Sequence, residues 1–494
     1  VHDLQLGGPV TAVAPSEHGL KRNAISFVSN VVIGVASTAP AYSLASALGL
    51  ITAIAGYGSP AIIIVAFIPM LFVAAAFYHM NRADPDCGIT FSWASRALGP
   101  HAGWMGGWAI IVTDVLVMPS LAVIAGQYSF ELFGVNPSTL QVTLAGVAWI
   151  VLMTALCYLG IELSARTQQV LLAAELAILA IFAIVALVKV STGGGLAGSH
   201  HVAAAWFNPF AVHGFDNFTE AVLVAVFIYW GWDCGLSINE ETQQPATVPG
   251  RAAIVSTIVL VGTYVLVGVA ALAFAGPDLL SKNSDDIFAP IGKSVLGGGL
   301  DKLLILAVLT SASASTLTTI LPTARAALSM GRAGAIPKRF AHIHPRYRSP
   351  DFATLVMGVV STVWYVGLTF LSPNVLADSI KALGLGIAFY YALTGFACVA
   401  YYRHRIFESA QNFFSIGLLP AAGALTMVAL FVKSCFDLSK PSSGSTVIFG
   451  IGGPLVIGVG ALLAGALLMA FAQLALPAFF RRKPETAGRD ANGL

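Results

Sequence analysis

Apolar runs of about 20 residues, long enough as helices to cross a bilayer's hydrocarbon, recur from one end of this chain to the other. Twelve such candidate spans can be drawn, over approximately 24–50, 60–80, 102–130, 140–160, 167–190, 217–240, 251–275, 296–326, 352–371, 376–401, 412–433 and 449–475. Loops carrying Asn136-Pro137, Gly193-Gly194-Gly195, Gly276-Pro277, Ser372-Pro373 and Lys440-Pro441 punctuate them, and none is long enough for a separate domain. Of the 494 residues 57% are hydrophobic and only 10% charged, about half the charge density of a soluble protein. The chain therefore reads as one all-α polytopic membrane protein whose surroundings are the lipid bilayer. The polar stretch up to Asn23 lacks a signal-peptide pattern, so the first apolar run is expected to remain as a span.

Orientation follows from lysine and arginine. With the N-terminus inside, 18 of the 25 basic residues fall on the inner side, among them Lys21, Arg22, Arg166, Arg325, Arg332, Arg346, Arg348 and Arg481. Inserting or deleting one span would scramble that bias, which supports an even count and two cytoplasmic termini at the cell (plasma) membrane. A net charge of +2 gives no footing for nucleic acid. The five cysteines, Cys87, Cys157, Cys234, Cys398 and Cys435, lie far apart, which argues against a structural disulfide. No histidine or cysteine cluster has zinc spacing, and no nucleophile with its base suggests an enzyme. No metal or cofactor is expected, and no feature specifies an oligomer.

Two of the runs are interrupted. Between Phe227 and Glu241 four aromatics, Phe227, Tyr229, Trp230 and Trp232, alternate with Gly231, Asp233 and Gly235. Glycine weakens a helix, and an acid at membrane depth must face protein, water or an ion. The stretch reads as a broken helix, with a glycine-kinked span packed by aromatics as the plainer alternative. Five spans earlier, Ile33-Gly34-Val35-Ala36-Ser37-Thr38-Ala39-Pro40 sets small and hydroxyl residues before a proline that cannot donate a helix hydrogen bond. Weak points at matching positions of two five-span halves are what inverted repeats produce, and irregular backbone in a membrane is tolerated where it lines a cavity.

These stretches, together with Leu20-Lys21-Arg22-Asn23, Glu240-Glu241-Thr242, Arg325 through Pro337 and Ile343 through Pro350, resemble the amino acid–polyamine–organocation superfamily of transporters. The resemblance implies the leucine-transporter fold: a cytoplasmic segment 1–23, a first five-helix repeat in 24–190, its inverted counterpart in 217–401, helices eleven and twelve in 412–475 and a cytoplasmic tail 476–494. It implies alternating access at a midplane site between broken helices one and six. Helix one would hold a substrate carboxylate at Ala36, Ser37 and Thr38, where relatives carry a glycine-rich motif. Helix six would supply carbonyls near Gly231 for an amino group, and Phe227, Tyr229, Trp230 and Trp232 to cover the site.

Three acids fall in the hydrocarbon. Asp233 fits amine recognition, proton sensing or a helix-break ion pair. Asp114, about 18 Å into span three at 1.5 Å per residue, either faces the cavity or is bonded to neighbouring backbone or Thr113. Glu175 stands where many sodium-independent relatives have a lysine, so it becomes a proton carrier or a cation ligand. Ser311, Ser315 and Thr318 share one face of span eight, placed either to ligate sodium or to pack on span one. Asp285 and Asp286, before span eight, are expected to be solvated. The reading is a secondary active permease for an amino acid, coupled to protons through Glu175 or Asp233. The alternatives are a polyamine or other organic amine carrier or exchanger, with sodium in place of the proton, and a transporter-derived sensor.

Overall fold

The computed structural model describes residues 19–283, 286–371 and 373–486. In chain order the helices begin with α1 (Phe27–Ser37), α2 (Pro40–Ala55), α3 (Ser59–Ala83), α4 (Thr90–Ala97), α5 (Pro100–Glu131), α6 (Thr139–Leu159) and α7 (Ile161–Ser191). There follow α8 (Phe215–Phe227), α9 (Cys234–Ser237), α10 (Val248–Lys282), α11 (Phe288–Leu296), α12 (Lys302–Ala333), α13 (Asp351–Leu371) and α14 (Pro373–Tyr402). The chain closes with α15 (Ala410–Asn412), a π turn, α16 (Leu419–Leu438), a two-residue hairpin of β1 (Val447–Ile448) and β2 (Ile451–Gly452), α17 (Gly453–Ala475) and α18 (Pro477–Phe480).

Ten stretches among the described residues are long and apolar enough to cross a membrane. The first, Phe27–Ala83, is 57 residues long and contains α1, α2 and α3, which the sequence divides into two spans. The segment from α8 to α9 is not among the ten, because its interruption leaves no helix of sufficient length. Helix ends lie within about three residues of the sequence reading for spans two, three, four, nine and ten. Span five begins at Ile161 rather than near 167, so that Glu175 lies about 21 Å along its helix, and span eight is shifted along the chain to Lys302–Ala333 from the expected 296–326. Gly276, at φ 72°, breaks the helical path inside α10 next to Pro277, at the predicted end of span seven.

Burial orders the helices from centre to rim. The apolar window of α12 is 83% buried and that of α17 only 17%, so α12 is the axis of the bundle and α17 its outer wall. Leu467, Phe471 and Leu474 of α17 stand exposed, as they should in lipid, where no hydrophobic force drives apolar side chains inward. Against α12 lie the two interrupted helices, held close by glycine. A Cβ on Gly34 would come within 3.2 Å of the Trp232 carbonyl, and one on Gly235 within 2.6 Å of Asn30 Oδ1.

Contacts also gather the basic residues. Lys21 pairs with Glu162, Arg96 with Asp84 and Glu485, Arg348 donates to the Gly19 carbonyl, and Arg482 to that of Ala333. This basic end is sealed by backbone: the Ala24 and Ile25 amides donate to the Glu241 carbonyl, and the Gln243 amide to that of Ile25. At the opposite end the Ile287 amide donates to Ala45 and the Phe288 ring packs edge-on against Phe182. Asp286 there accepts from the Tyr128 hydroxyl and the Phe288 amide rather than standing solvated, while Asp285 lies outside the described residues.

Candidate functional site

The first interruption is small. Helix α1 stops at Ser37, Ala39 takes the left-handed conformation at φ 47° and Pro40 starts α2. A helix that restarts in mid-membrane presents amide donors with no partner in the preceding turn. The chain accounts for every one of them. The Thr38 and Ala39 amides donate to Val35 and Ala36, Pro40 has no N–H, and the Ser43 amide returns to Ala39. The Ala41 amide donates to Glu175 Oε1 at 2.7 Å, and the Tyr42 amide to Ser311 Oγ at 3.2 Å. Below the break, Ser315 Oγ donates to the Ser37 carbonyl. The Thr38 hydroxyl donates to Val35 and accepts from Tyr264.

Glu175, Ser311 and Ser315, picked from separate spans, thus meet at one place. Carboxylate and hydroxyls cap the interrupted helix, and Thr318 of the same face bonds within its own helix. Glu175 is wholly buried, and its Oε2 has no hydrogen-bond partner among the described residues.

The second interruption lies against the first. After α8 the chain runs through turns at Tyr229 and Trp230 to Gly231, at φ 118°, and resumes helix at Cys234. A Cβ on Gly231 would fall 2.6 Å from the Ser37 carbonyl oxygen, so only glycine lets the two broken backbones touch. The Ile228 carbonyl, freed by the break, accepts from Tyr264 at 2.6 Å. Tyr264 thereby spans both interruptions.

Asp233 makes no ion pair among the described residues. Its two oxygens accept from the hydroxyls of Tyr391, at 2.9 Å, and Tyr390, at 3.1 Å, and Trp230 Nε1 donates to Tyr390. Asp114 accepts from Thr323 of α12 at 2.6 Å, not from Thr113, whose hydroxyl has no partner among the described residues. Tyr229 and Trp232 are completely buried, the first donating to the Ile63 carbonyl and the second packed among Phe77 and Tyr391. Phe227 and Trp230 are only half-buried. Ala36 is buried in the α1 core.

Sequence reasoning missed Tyr264, Tyr390 and Tyr391, and also the polar layer beneath the site. There Arg325 pairs with Glu241, both nearly inaccessible, and Arg332 with Glu240 at 2.9 Å. Asn239 donates to Asn81 and to the Asp86 carbonyl, and Ser92, Ser329 and the Gly88 amide all donate to Asp86. Ligand atoms of Asp86, Cys87 and Glu240 lie within 4.8 Å of one another, but both serines bond Asp86 Oδ1 and Arg332 bonds both oxygens of Glu240. Just beyond α3, burial and then the Asp86 carboxylate push the Asp84 carboxyl up to about 7, against the pull of Arg96. Burial and the Glu240 carboxylate hold the Cys87 thiol well above its usual range.

An apolar helical bundle in which two interrupted helices meet beside buried acids is the architecture of a membrane transporter. Sequence comparison makes the class definite: the chain belongs to the amino acid permease family, whose profile matches residues 22–471. It is a transporter of the amino acid–polyamine–organocation superfamily and not an enzyme. It is 24% identical over 415 residues to the low-affinity putrescine importer PlaP of Escherichia coli, covering 83% of this chain and 88% of that one. An uncharacterised transporter of Mycobacterium bovis is 27% identical over 442 residues, 87% of this chain and 90% of its own. The branched-chain amino acid permease BcaP of Bacillus subtilis is 25% identical over 331 residues, 63% of this chain and 67% of its own.

Proposed function

We infer that this chain is a secondary active transporter that moves a small amine-bearing substrate across the plasma membrane by alternating access. In this reading it crosses twelve times, as inverted repeats in 24–190 and 217–401 followed by two helices in 412–475, with both termini cytoplasmic. Dividing Phe27–Ala83 between α2 and α3 and counting the interrupted segment from α8 to α9 turns the ten apolar stretches into twelve crossings. The observation that carries the reading is the backbone contact of Gly231 with Ser37, where both interrupted helices share one buried site.

The amide accounting bears on the substrate. A substrate carboxylate would normally find donors at the start of a half-helix. Here Glu175 and Ser311 occupy them. What the site offers instead is the acids Asp114 and Asp233, whose described partners are neutral hydroxyls and which suit a cation. The organic amine reading is therefore favoured over the amino acid reading, and the family contains relatives named for each. Putrescine and ornithine differ by one carboxylate, as do 3-methylbutylamine and leucine. In proteoliposomes the amine of each pair should compete better than its amino acid. A preference for ornithine or leucine restores the amino acid reading, and the absence of any flux in purified protein that still binds them points to a sensor.

Proton coupling through Glu175 is supported by its burial and by an oxygen with no partner among the described residues. A proton would neutralise the carboxylate and weaken its charge-assisted hold on the Ala41 amide of α2, tying protonation to the break. Sodium has weaker footing, because the Tyr42 amide takes a lone pair of Ser311 and Ser315 takes up the Ser37 carbonyl oxygen. Glu175→Gln should keep binding within a few-fold while abolishing accumulation driven by a proton gradient. Unchanged concentrative uptake in that variant would remove Glu175 from the coupling.

A further inference from the structure

A cavity of about 780 Å³ opens at the basic end, away from the interrupted helices. Three segments build it: the residues leading into α1, the start of α7, and the turn before α13. Lys21, Arg22, Arg166, Arg346 and Arg348 line it, against the single acid Glu162, which pairs with Lys21. Arg166 and Arg346 are exposed and have no carboxylate partner among the described residues.

Keeping cations on the inner side of a membrane requires only their number. It does not require that they converge on one hollow, where they repel each other. The walls are also fixed in advance. The His344 amide donates to Ser349 and the Arg348 amide to His344, and the Ser349 hydroxyl ties this turn to the Tyr158 carbonyl at the end of α6. Arg348 is held at φ 55° with its guanidinium on the Gly19 carbonyl. The first turn of α7 follows Gly160 without a side-chain cap, so its amide dipoles add to the positive field.

The rim identifies the ligand. Leu159 and Leu163 line the cavity and stand 43% and 41% exposed, and Val170, further along α7, is 70% exposed. The pocket is thus continuous with an apolar outer face, while the aromatic rings of Tyr158 and Tyr347 sit together at its edge, as they do at membrane interfaces. We propose that this pocket binds the phosphate headgroup of an acidic phospholipid, with Arg166, Arg346 and Arg348 on the phosphate and the acyl chains along α7. A lipid held there staples the segment leading into α1 to α7 and to the turn at 346–348.

The test uses delipidated full-length protein in detergent, with thermal stability measured during titration by dioleoyl phosphatidylglycerol, dioleoyl phosphatidylcholine or inorganic phosphate. Phosphatidylglycerol should raise the melting temperature saturably, and phosphatidylcholine at equal concentration by less than half as much. The variant Arg166→Gln/Arg346→Gln/Arg348→Gln should lose at least half of the shift. The control Lys338→Gln/Arg403→Gln/Arg481→Gln, which removes as many exposed charges from the same end, should keep it. If the triple variant does not fold, Arg346→Gln alone, at an exposed position, should weaken half-saturation by about tenfold, the worth of one charge-assisted contact. Equal shifts with both lipids, or equal losses in test and control variants, would overturn the site. A full shift with inorganic phosphate would overturn its assignment to lipid.

Discussion

Single residues decide whether the two interrupted helices can meet. Gly231 combines φ 118° with a carbonyl oxygen 2.6 Å from where a Cβ would stand. Gly231→Ala must therefore move Ser37 or abandon the conformation, at roughly 1–3 kcal/mol for the backbone alone. The expected result is a protein with unchanged helical circular dichroism, a lower melting temperature and no uptake; normal uptake would mean the contact is dispensable. Asp84 makes a prediction about pH. Its folded value of about 7 lies above the ordinary 3.8, so the folded state holds the proton more tightly than the unfolded chain. Its contribution to stability is complete below the unfolded value and is lost as pH rises through about 7. Melting temperature should fall between pH 5 and pH 8 more steeply in the wild type than in Asp84→Asn, so parallel curves would contradict the assignment.

At the scale of elements, the layer beneath the site joins α12 to the turn after α9 through Arg325 and Glu241, which are 3% and 1% exposed. Removing one partner of such a pair strands a buried charge, at about 3–5 kcal/mol, whereas removing both strands none. Arg325→Met and Glu241→Gln should each lower thermal stability by that order, and the double variant should be no worse than the weaker single one. Additive losses would show that the two side chains act independently. The sequence displays such elements unevenly. Interrupted helices leave a trace in it, because glycine, proline and an acid are all costly in a membrane span, and that trace located both breaks and Glu175. Asp233 was visible for the same reason, but its partners were not. A tyrosine in an apolar run, such as Tyr264, Tyr390 or Tyr391, has an ordinary packing role, and only the fold brings its hydroxyl to a broken backbone or a carboxylate. Thr323 was hidden in the same way, since 209 residues separate it from Asp114. Composition marked the cost of the buried groups, and tertiary structure supplied what offsets it.

The molecule as a whole has bonds across both ends: Glu241, Glu240 and Asn239 close the basic end, and Asp286 with Ile287 crosses the other. The alternating access proposed for this chain would require these two layers to open in turn, and the chain carries its own reporter of one of them. Cys87 is fully buried, its amide donates to Glu240, and its thiol lies against the Arg325 carbonyl and the Arg332 guanidinium. Burial and a raised thiol value both keep it unreactive while the layer is closed. Cys157, Cys234 and Cys398 are buried as well, and Cys435 is partly exposed, so a Cys435→Ser background isolates the signal. In that background a membrane-impermeant maleimide supplied at the basic end should label slowly. Labelling should accelerate several-fold when a transported substrate drives the cycle, and Arg332→Gln, which cuts the pair with Glu240, should raise the basal rate without substrate. Cys87→Ser abolishes the signal if the site is assigned correctly. Labelling indifferent to both substrate and Arg332→Gln would mean that the basic end does not open at this layer, and the path out of the site would have to be sought elsewhere in the bundle.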